Sequence, residues 1–173
     1  AAITADAAMW IDDSRKKVLY AQNVYESEYP ASVSKIATAL MALKYSSLDD
    51  TVTIGYNASH ITEYGARLCG FQEGDKISMK DLLYCMLTYS GNDAAMAIAE
   101  HISGSEQEFA AKMNQEMMAI GASGTHFVNS HGLHDDDHYT TVYDMYLIFQ
   151  EAVKSQAFVD IIKTKSIDVT YQD

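Results

Sequence analysis

The sequence predicts one mixed α+β domain, and three observations in chain order support this prediction. A hairpin pattern comes first, with strand-like residues 7–11 and 17–21 on either side of the polar turn DDSRKK. Several helix patterns fill the middle of the chain, and the last residues, SIDVTYQD, alternate apolar and polar side chains as a strand does. This order favours an antiparallel sheet built from both chain ends, with helices between them.

Length and charge limit the classes of protein to consider. The 173 residues, 48% of them hydrophobic, suffice for a single domain with a sizeable core. The formal net charge of −12 argues against nucleic acid and anionic membranes as partners, because both require clustered Lys and Arg. No apolar run is long enough for a membrane span, and the start AAITADAAMWIDD lacks a signal-peptide pattern. We therefore expect that, if the protein is exported, its signal peptide has already been removed.

The stretch YPASVSKIATALMAL predicts the first helix. Apolar residues recur at three- and four-residue spacing from Ile36 to Leu43, which gives this helix a face for the core. Pro30 disfavours helix at the residue before it, and Ser32 is a suitable N-cap. The helix should therefore begin within a residue or two of Ser32 and end near Lys44.

Further helices are predicted after residues 51–77, a segment of short strand-like pieces and glycine-containing loops without a clear helix. A partial capping box opens a second helix at Ser78, and the break SGND separates it from a third. The remaining predicted helices run from Ser105 to about Ile120, from 141 to 154 and from 156 to 162.

Lys35 occupies the first turn of the first predicted helix, where the helix dipole disfavours a cation. Ser32 lies three residues earlier on the same face, so its hydroxyl and the Lys35 amine can meet, whereas Ser34 points about 100° away. Burial and the dipole both lower the pKa of a lysine, and a neutral lysine can accept a serine proton. The structural alternative is a helix cap at Ser32 and a lysine whose amine extends to solvent.

Two other serine motifs differ in their surroundings. Ser14 to Lys17 is a second S-x-x-K, but it lies in the polar run DDSRKK and is most simply a solvated turn. Ser90-Gly91-Asn92 lies between two apolar helices, where the local interpretation is that it caps their ends. An S-x-x-K at a helix start followed by S-x-N at a break between helices is, however, the arrangement of the penicillin-recognising serine enzymes.

With these motifs the chain resembles the serine-type D-alanyl-D-alanine carboxypeptidases, the low-molecular-mass penicillin-binding proteins. YPASVSKIATALMAL resembles the family block PAS-x-x-K-x-x-T-ALLAL, and LLYCMLTYSGNDAAMAIAEHISGS resembles DLL-x-x-LL-x-SGNDAA-x-ALAE. THFVNSHGLHDDDHYTTVYDM resembles THF-x-NPHGL-D-x-x-HYSTAYD, and AAMWIDDSRKKVLYAQN resembles the opening hairpin. These blocks cover residues 5 to about 160 in family order.

The resemblance implies the transpeptidase fold of β-lactamases and penicillin-binding proteins, an antiparallel sheet with a helical subdomain. It implies that Ser32 is the acylated nucleophile, Lys35 its general base, Ser90 a proton relay to the leaving amine and Asn92 a holder of the substrate's peptide group. The implied substrate is a peptidoglycan stem peptide, β-lactams would acylate the same serine, and the implied location is the cell envelope outside the cytoplasm. Neither a cofactor nor a metal is implied.

The family's third motif, Lys-Thr-Gly, is absent from this chain. Lys163-Thr164-Lys165 lacks the glycine and follows a helix pattern, so we interpret it as a helix end with a solvated basic pair. In the family the motif lies some tens of residues beyond Asp173. We therefore expect 1–173 to be an incomplete catalytic domain that lacks the C-terminal sheet strands, with no membrane anchor visible. Its open sheet edge should associate with a partner or with the missing C-terminal chain.

Other interpretations remain open. The segment HGLHDDDH holds His131, His134 and His138 among aspartates, which would suit a metal site if it were helical. The chain could also be a non-catalytic peptidoglycan- or penicillin-binding module, or a β-lactamase, although no glutamate stands in an evident block for activating water. Cys69 and Cys85 permit one disulfide, but the apolar helix pattern around Cys85 favours a free buried thiol.

Overall fold

The structure, a computed structural model, describes residues 4–164. This part of the chain is a mixture of helices and antiparallel strand pairs, as predicted. The elements in chain order are β1 (Ala8–Asp12), β2 (Lys17–Gln22), α1 (Val33–Tyr45), β3 (Thr51–Thr53), α2 (Tyr56–Ser59), β4 (Lys76–Ser78), α3 (Met79–Tyr89), α4 (Asn92–Ser103), α5 (Glu106–Ala119), α6 (Val142–Ala152) and α7 (Gln156–Lys163).

The predicted opening hairpin is confirmed by the antiparallel pairing of β1 with β2. Its register shifts between Trp10 and Ile11, the local irregularity of a β-bulge. In the turn, the Ser14 hydroxyl donates to Asp12 Oδ1 at 2.6 Å, and both Ser14 and Lys17 are exposed. The second S-x-x-K is thus a solvated turn, as interpreted from its polar surroundings.

Residues 51–77 differ in part from the prediction, because they contain the single-turn helix α2. Two hydrogen bonds from the Ser59 hydroxyl support it, to Gly55 O at 3.0 Å and to Tyr56 O at 2.9 Å. So short a helix has no apolar periodicity to reveal it. The strand predicted at SIDVTYQD lies outside the described residues, and so does the prediction that both chain ends share one sheet.

Helix α1 lies at the centre of the molecule and contacts two hydrophobic clusters. Ala39 and Ala42 belong to a cluster with side chains of β3, β4, α3, α4 and α7. Ala37 and Met41 belong to a second cluster with α5, α6 and Phe127. Because α1 is covered on both sides, the position of its N-terminus is determined by the packing of the whole core.

The predicted helix starts are confirmed by capping hydrogen bonds. The Ser78 hydroxyl accepts from Asp81 N at 3.1 Å, and the Ser105 hydroxyl accepts from Glu108 N at 3.1 Å. Helix α7 ends at Lys163, as expected for the Lys163-Thr164 pair, while Lys165 lies outside the described residues. Within residues 4–164, every helix is too short or too polar to cross a membrane.

Candidate active site

Ser32 lies at the N-cap of α1, as predicted, but its side chain makes no capping hydrogen bond. A capping side chain requires an extended N-cap backbone, whereas Ser32 is helical with φ −63° and ψ −15°. The preceding Ala31 makes the turn instead, with φ at 41°. The predicted side-chain cap is therefore wrong. Among the hydrogen bonds of residues 4–164, none uses the Ser32 hydroxyl or the Ser32 backbone N–H as a donor.

Lys35 is buried, with 6% of its surface exposed, although it belongs to the first turn of α1. Its Nζ donates to the backbone oxygen of His131 at 2.7 Å rather than to Ser32. Burial lowers the pKa of Lys35 to about 8, because the charged form has lost most of its water. A useful fraction of this amine is therefore neutral near neutral pH, which a proton acceptor requires.

Gly132 brings the backbone of the HGL segment directly against the start of α1. It has φ at +85°, and a Cβ atom built on it would lie 2.0 Å from the carbonyl oxygen of Ala31. Only glycine allows both the left-handed backbone and this close approach. The contact places His131 O where it accepts the Lys35 hydrogen bond, so this segment positions Lys35.

Two further buried hydrogen bonds hold the HGL segment to α1. Thr38 Oγ1 donates to Ser130 O at 2.6 Å, and Ser34 Oγ lies 2.6 Å from His138 Nε2. Ser34 thus points away from the predicted nucleophile, as helix geometry requires. We name residues 130–138 the clasp, because they contact α1 at Ser34, Lys35 and Thr38 and also contact Ala31 just before the helix.

The histidines of the clasp engage protein groups. His131 Nδ1 accepts from Leu133 N at 3.1 Å, and His138 Nδ1 accepts from Val128 N at 3.0 Å. Burial lowers the pKa of both imidazoles to about 4, so they are neutral at pH 7. Among residues 4–164, no three His, Cys, Asp or Glu side chains are arranged to hold a metal ion. The metal hypothesis thus finds no ligand set in the described chain.

Ser90 and Asn92 lie where α3 meets α4, as predicted. Ser90 is the C-cap of α3 in a left-handed conformation, with φ at 65°. Asn92 opens α4 and is 4% exposed; its backbone N and its Nδ2 donate to the carbonyl oxygen of Arg67 at 2.9 and 3.1 Å. Its Oδ1 is buried without a partner among the described residues. A buried amide oxygen left unpaired is costly, which suggests that a bound molecule supplies the donor.

These residues meet in one cavity of about 210 Å³. Its lining residues include the four predicted site residues, parts of the clasp and the loop between α2 and β4; they are Ala31, Ser32, Lys35, Gly65, Ala66, Arg67, Ser90, Asn92, His131, Gly132 and Leu133. Two larger cavities of about 480 Å³ each contain none of the four. The four are thus brought together although about 60 residues separate the two motifs.

Asp93 holds the loop between α2 and β4 in place. Its Oδ1 accepts from Cys69 N at 3.0 Å and its Oδ2 accepts from Gly70 N at 2.9 Å. Cys69 and Cys85 are free thiols, as favoured for Cys85. Sequence reasoning missed this loop, because Arg67 and its neighbours have no pattern of their own. The one available indication was Asp93 of SGND, a carboxylate between two apolar helices that needs hydrogen-bond donors from another segment.

Comparison with known proteins identifies the family. The sequence profile of the family described as D-alanyl-D-alanine carboxypeptidase, peptidase S11, matches residues 1–172. The D-alanyl-D-alanine carboxypeptidase DacF of Bacillus subtilis is 35% identical over 164 residues, which are 92% of this chain and 42% of that protein.

Solved structures agree with the sequence match. The D-alanyl-D-alanine carboxypeptidase DacD of Francisella tularensis superimposes with a TM-score of 0.85 at 31% identity, covering 94% of this chain and 40% of that one. Penicillin binding protein 5 of Haemophilus influenzae superimposes with a TM-score of 0.81 at 32% identity, covering 89% and 46%. The predicted transpeptidase fold is therefore confirmed.

The chain matches only part of the length of its curated relatives. The chain spans 42% and 44% of the length of two curated carboxypeptidases that it matches, which are from Bacillus subtilis and Salmonella typhimurium. Yet it includes the start of α1 and the break between α3 and α4, which both line the cavity. On the profile match over 1–172 and this shared fold, the chain belongs to the D-alanyl-D-alanine carboxypeptidase family, peptidase S11.

Proposed function

We propose that the full-length protein is a serine D-alanyl-D-alanine carboxypeptidase that acts on peptidoglycan stem peptides and is acylated by β-lactams. The observation that carries this proposal is the single cavity in which Ser32 and a Lys35 of pKa about 8 lie with Ser90 and Asn92. The relatives are named for this activity, and one solved neighbour is named a penicillin binding protein.

In the acylation step, Ser32 Oγ attacks the carbonyl carbon of the penultimate D-alanine while its proton passes to neutral Lys35. Burial is what keeps a sufficient fraction of Lys35 neutral, and the clasp carbonyl of His131 holds its amine in place. The unengaged backbone N–H of Ser32 can donate to the oxyanion that forms.

The leaving group then needs a proton and the substrate needs an anchor. Protonated Lys35 returns the proton through the Ser90 hydroxyl to the amine nitrogen of the terminal D-alanine, which departs. Asn92 Oδ1, buried and unpaired, accepts a hydrogen bond from a substrate peptide N–H. Water finally hydrolyses the acyl-enzyme ester and releases the shortened peptide and free Ser32.

Residues 1–173 form part of one catalytic domain in this proposal. The described β1–β2 pair has no third strand among residues 4–164, so its edges are available to the remaining chain or to a partner. The remaining chain supplies the Lys-Thr-Gly strand that this sequence lacks. The protein acts in the cell envelope, outside the cytoplasm, where its peptide substrate lies.

The alternatives draw less support from the described residues. A non-catalytic module has no use for a buried lysine of lowered pKa beside an uncommitted serine. A class A β-lactamase activates its deacylating water with a glutamate, and the lining residues of the cavity include no Glu or Asp. Half-buried Glu106 instead accepts hydrogen bonds from Ser130 N and Ser130 Oγ, and these bonds hold the clasp.

The test is intact-mass measurement after incubation with benzylpenicillin. We expect a mass gain of one penicilloyl group on the full-length protein and none on Ser32→Ala. Ser14→Ala is the matched control, because Ser14 begins the other S-x-x-K and should leave the adduct intact. An adduct that persists on Ser32→Ala, or its absence from the full-length wild type, would contradict the proposal. An adduct on the full-length protein but not on 1–173 would show that the missing strand is required.

A further inference from the structure

Arg67 is a cation at the candidate site to which the proposed chemistry assigns no task. The sequence contains two arginines, and the other, Arg15, pairs with Asp12 at 3.5 Å. Arg67 forms no ion pair with any residue from 4 to 164, although the chain carries a net charge of −12. Arg67 lines the cavity, and its side chain is exposed and has no acidic partner, so it is available to an anionic ligand.

Asn92 holds the backbone of Arg67, and the ring of Tyr89 contacts its side chain. Its carbonyl oxygen accepts both N–H groups of Asn92, so its Cα lies beside the candidate peptide-binding amide. Its guanidinium carbon lies 5.8 Å from the centroid of the Tyr89 ring, within cation–π range. An aromatic ring on one face leaves the edge N–H donors of the guanidinium available for a planar acceptor.

The charge in the cavity comes from two side chains. Lys35 and Arg67 are the cationic lining residues, and no acidic residue lines the cavity. Lys35 alternates between its neutral and its charged form in the proposed reaction, because it accepts a proton and then returns it. Arg67 therefore supplies the lasting positive charge, and an anion bound near it keeps this partner throughout the reaction.

We propose that Arg67 is a specificity-determining residue that binds a carboxylate on the acyl part of the peptide substrate. This proposal rests on the proposed function and names its substrate class: peptides in which the residue before the two D-alanines carries a free side-chain carboxylate. Asn92 holds the acyl side of the peptide, and Arg67 is its immediate neighbour. The terminal carboxylate belongs to the leaving D-alanine and is therefore not on the acyl part of the substrate.

The experiment compares two synthetic peptides ending in D-alanyl-D-alanine that differ only in the preceding residue, whose side chain ends in a carboxylate or in its amide. The rate of D-alanine release by the full-length protein gives kcat/KM for each. A bidentate charge-assisted pair predicts a preference of about 10- to 100-fold for the acid. Arg67→Ala should bring this ratio near one, Arg67→Lys should retain part of it, and Arg15→Ala is the matched control that should keep it.

The outcomes separate this proposal from the proposed function. If the wild type releases D-alanine from neither peptide and forms no penicilloyl adduct, the proposed function fails. If it turns over both peptides and Arg67→Ala keeps the preference for the acid, Arg67 does not bind the carboxylate. If Arg67→Ala lowers both rates equally, Arg67 merely supports Asn92, and the specificity proposal is overturned.

Discussion

The two walls of the cavity are built differently. One wall, formed by the start of α1 and the clasp, is buried and held by hydrogen bonds between segments about 100 residues apart. The other, formed by the Arg67 loop and the S-G-N break, is anchored by backbone contacts at Asn92 and Asp93 but exposes the Arg67 side chain. The first wall sets the protonation state of Lys35, and the second presents groups to a ligand. Substitutions in the first wall should therefore change both reactivity and stability. Substitutions in the second wall should mainly change ligand recognition.

The largest effect should come from Gly132→Ala, which would break the first wall. A methyl group at this position meets the backbone of Ala31 at 2.0 Å, and the φ of +85° is already unfavourable for alanine. We expect a loss of more than about 4 kcal/mol of unfolding free energy and no penicilloyl adduct. Denaturant unfolding and intact-mass measurement on the full-length protein check both.

Gly70→Ala is the matched control in the second wall. Gly70 has a similar φ of +88°, but nothing lies within 4 Å of the position of its Cβ. Its cost should be only the conformational one, about 1 kcal/mol. Equal costs for the two variants would contradict the assignment of a close clasp contact at Gly132.

Lys35→Met should lower the rate of acylation by benzylpenicillin by about 10²- to 10⁴-fold, the usual contribution of a general base. In the wild type the acylation rate should rise with pH and level off above about 8, because the neutral fraction of Lys35 grows until its pKa is passed. Stopped-flow kinetics over this range measures both. A flat pH profile would mean that Lys35 is not the base.

The clasp should lose stability in acid. The pKa values of His131 and His138 are lowered by burial from 6.5 to about 4, so the unfolded chain binds protons that the folded chain does not. Their contribution to stability is therefore present above pH 6.5 and lost as the pH falls toward 4. In His138→Gln, the part of the slope of unfolding free energy against pH that these two histidines cause should fall to about half. Chemical unfolding at several pH values checks it; an unchanged slope would contradict the burial of His138.

The smallest effect on stability should come from Arg67→Ala in the second wall. The side chain is exposed and contacts the ring of Tyr89, so we expect a change below about 0.5 kcal/mol in unfolding free energy. The same variant should strongly alter the choice between acidic and amidated peptides. Thermal unfolding, measured together with the peptide assay, shows whether a substitution in the second wall changes recognition without changing stability. A large stability loss would mean that it does not.

Local features of the fold were predictable from sequence, because a few neighbouring residues decide them. The caps at Ser78 and Ser105 need only a hydroxyl and an amide three residues later, and both are observed. The cap at Ser32 failed because Ala31, pressed against Gly132, takes the turn and leaves Ser32 helical. A contact between residues about 100 positions apart thus overruled a local preference.

The sequence by itself determined that a serine and a lysine share one face of a helix whose apolar residues require burial, and that S-G-N breaks two later helices. The tertiary structure alone decided that the clasp buries Lys35, that Asn92 Oδ1 lacks a partner in the described chain and that Arg67 lines the same cavity. The physical reason is that spacing and capping depend on adjacent residues. Desolvation and the pairing of buried polar atoms depend on which distant segments cover them.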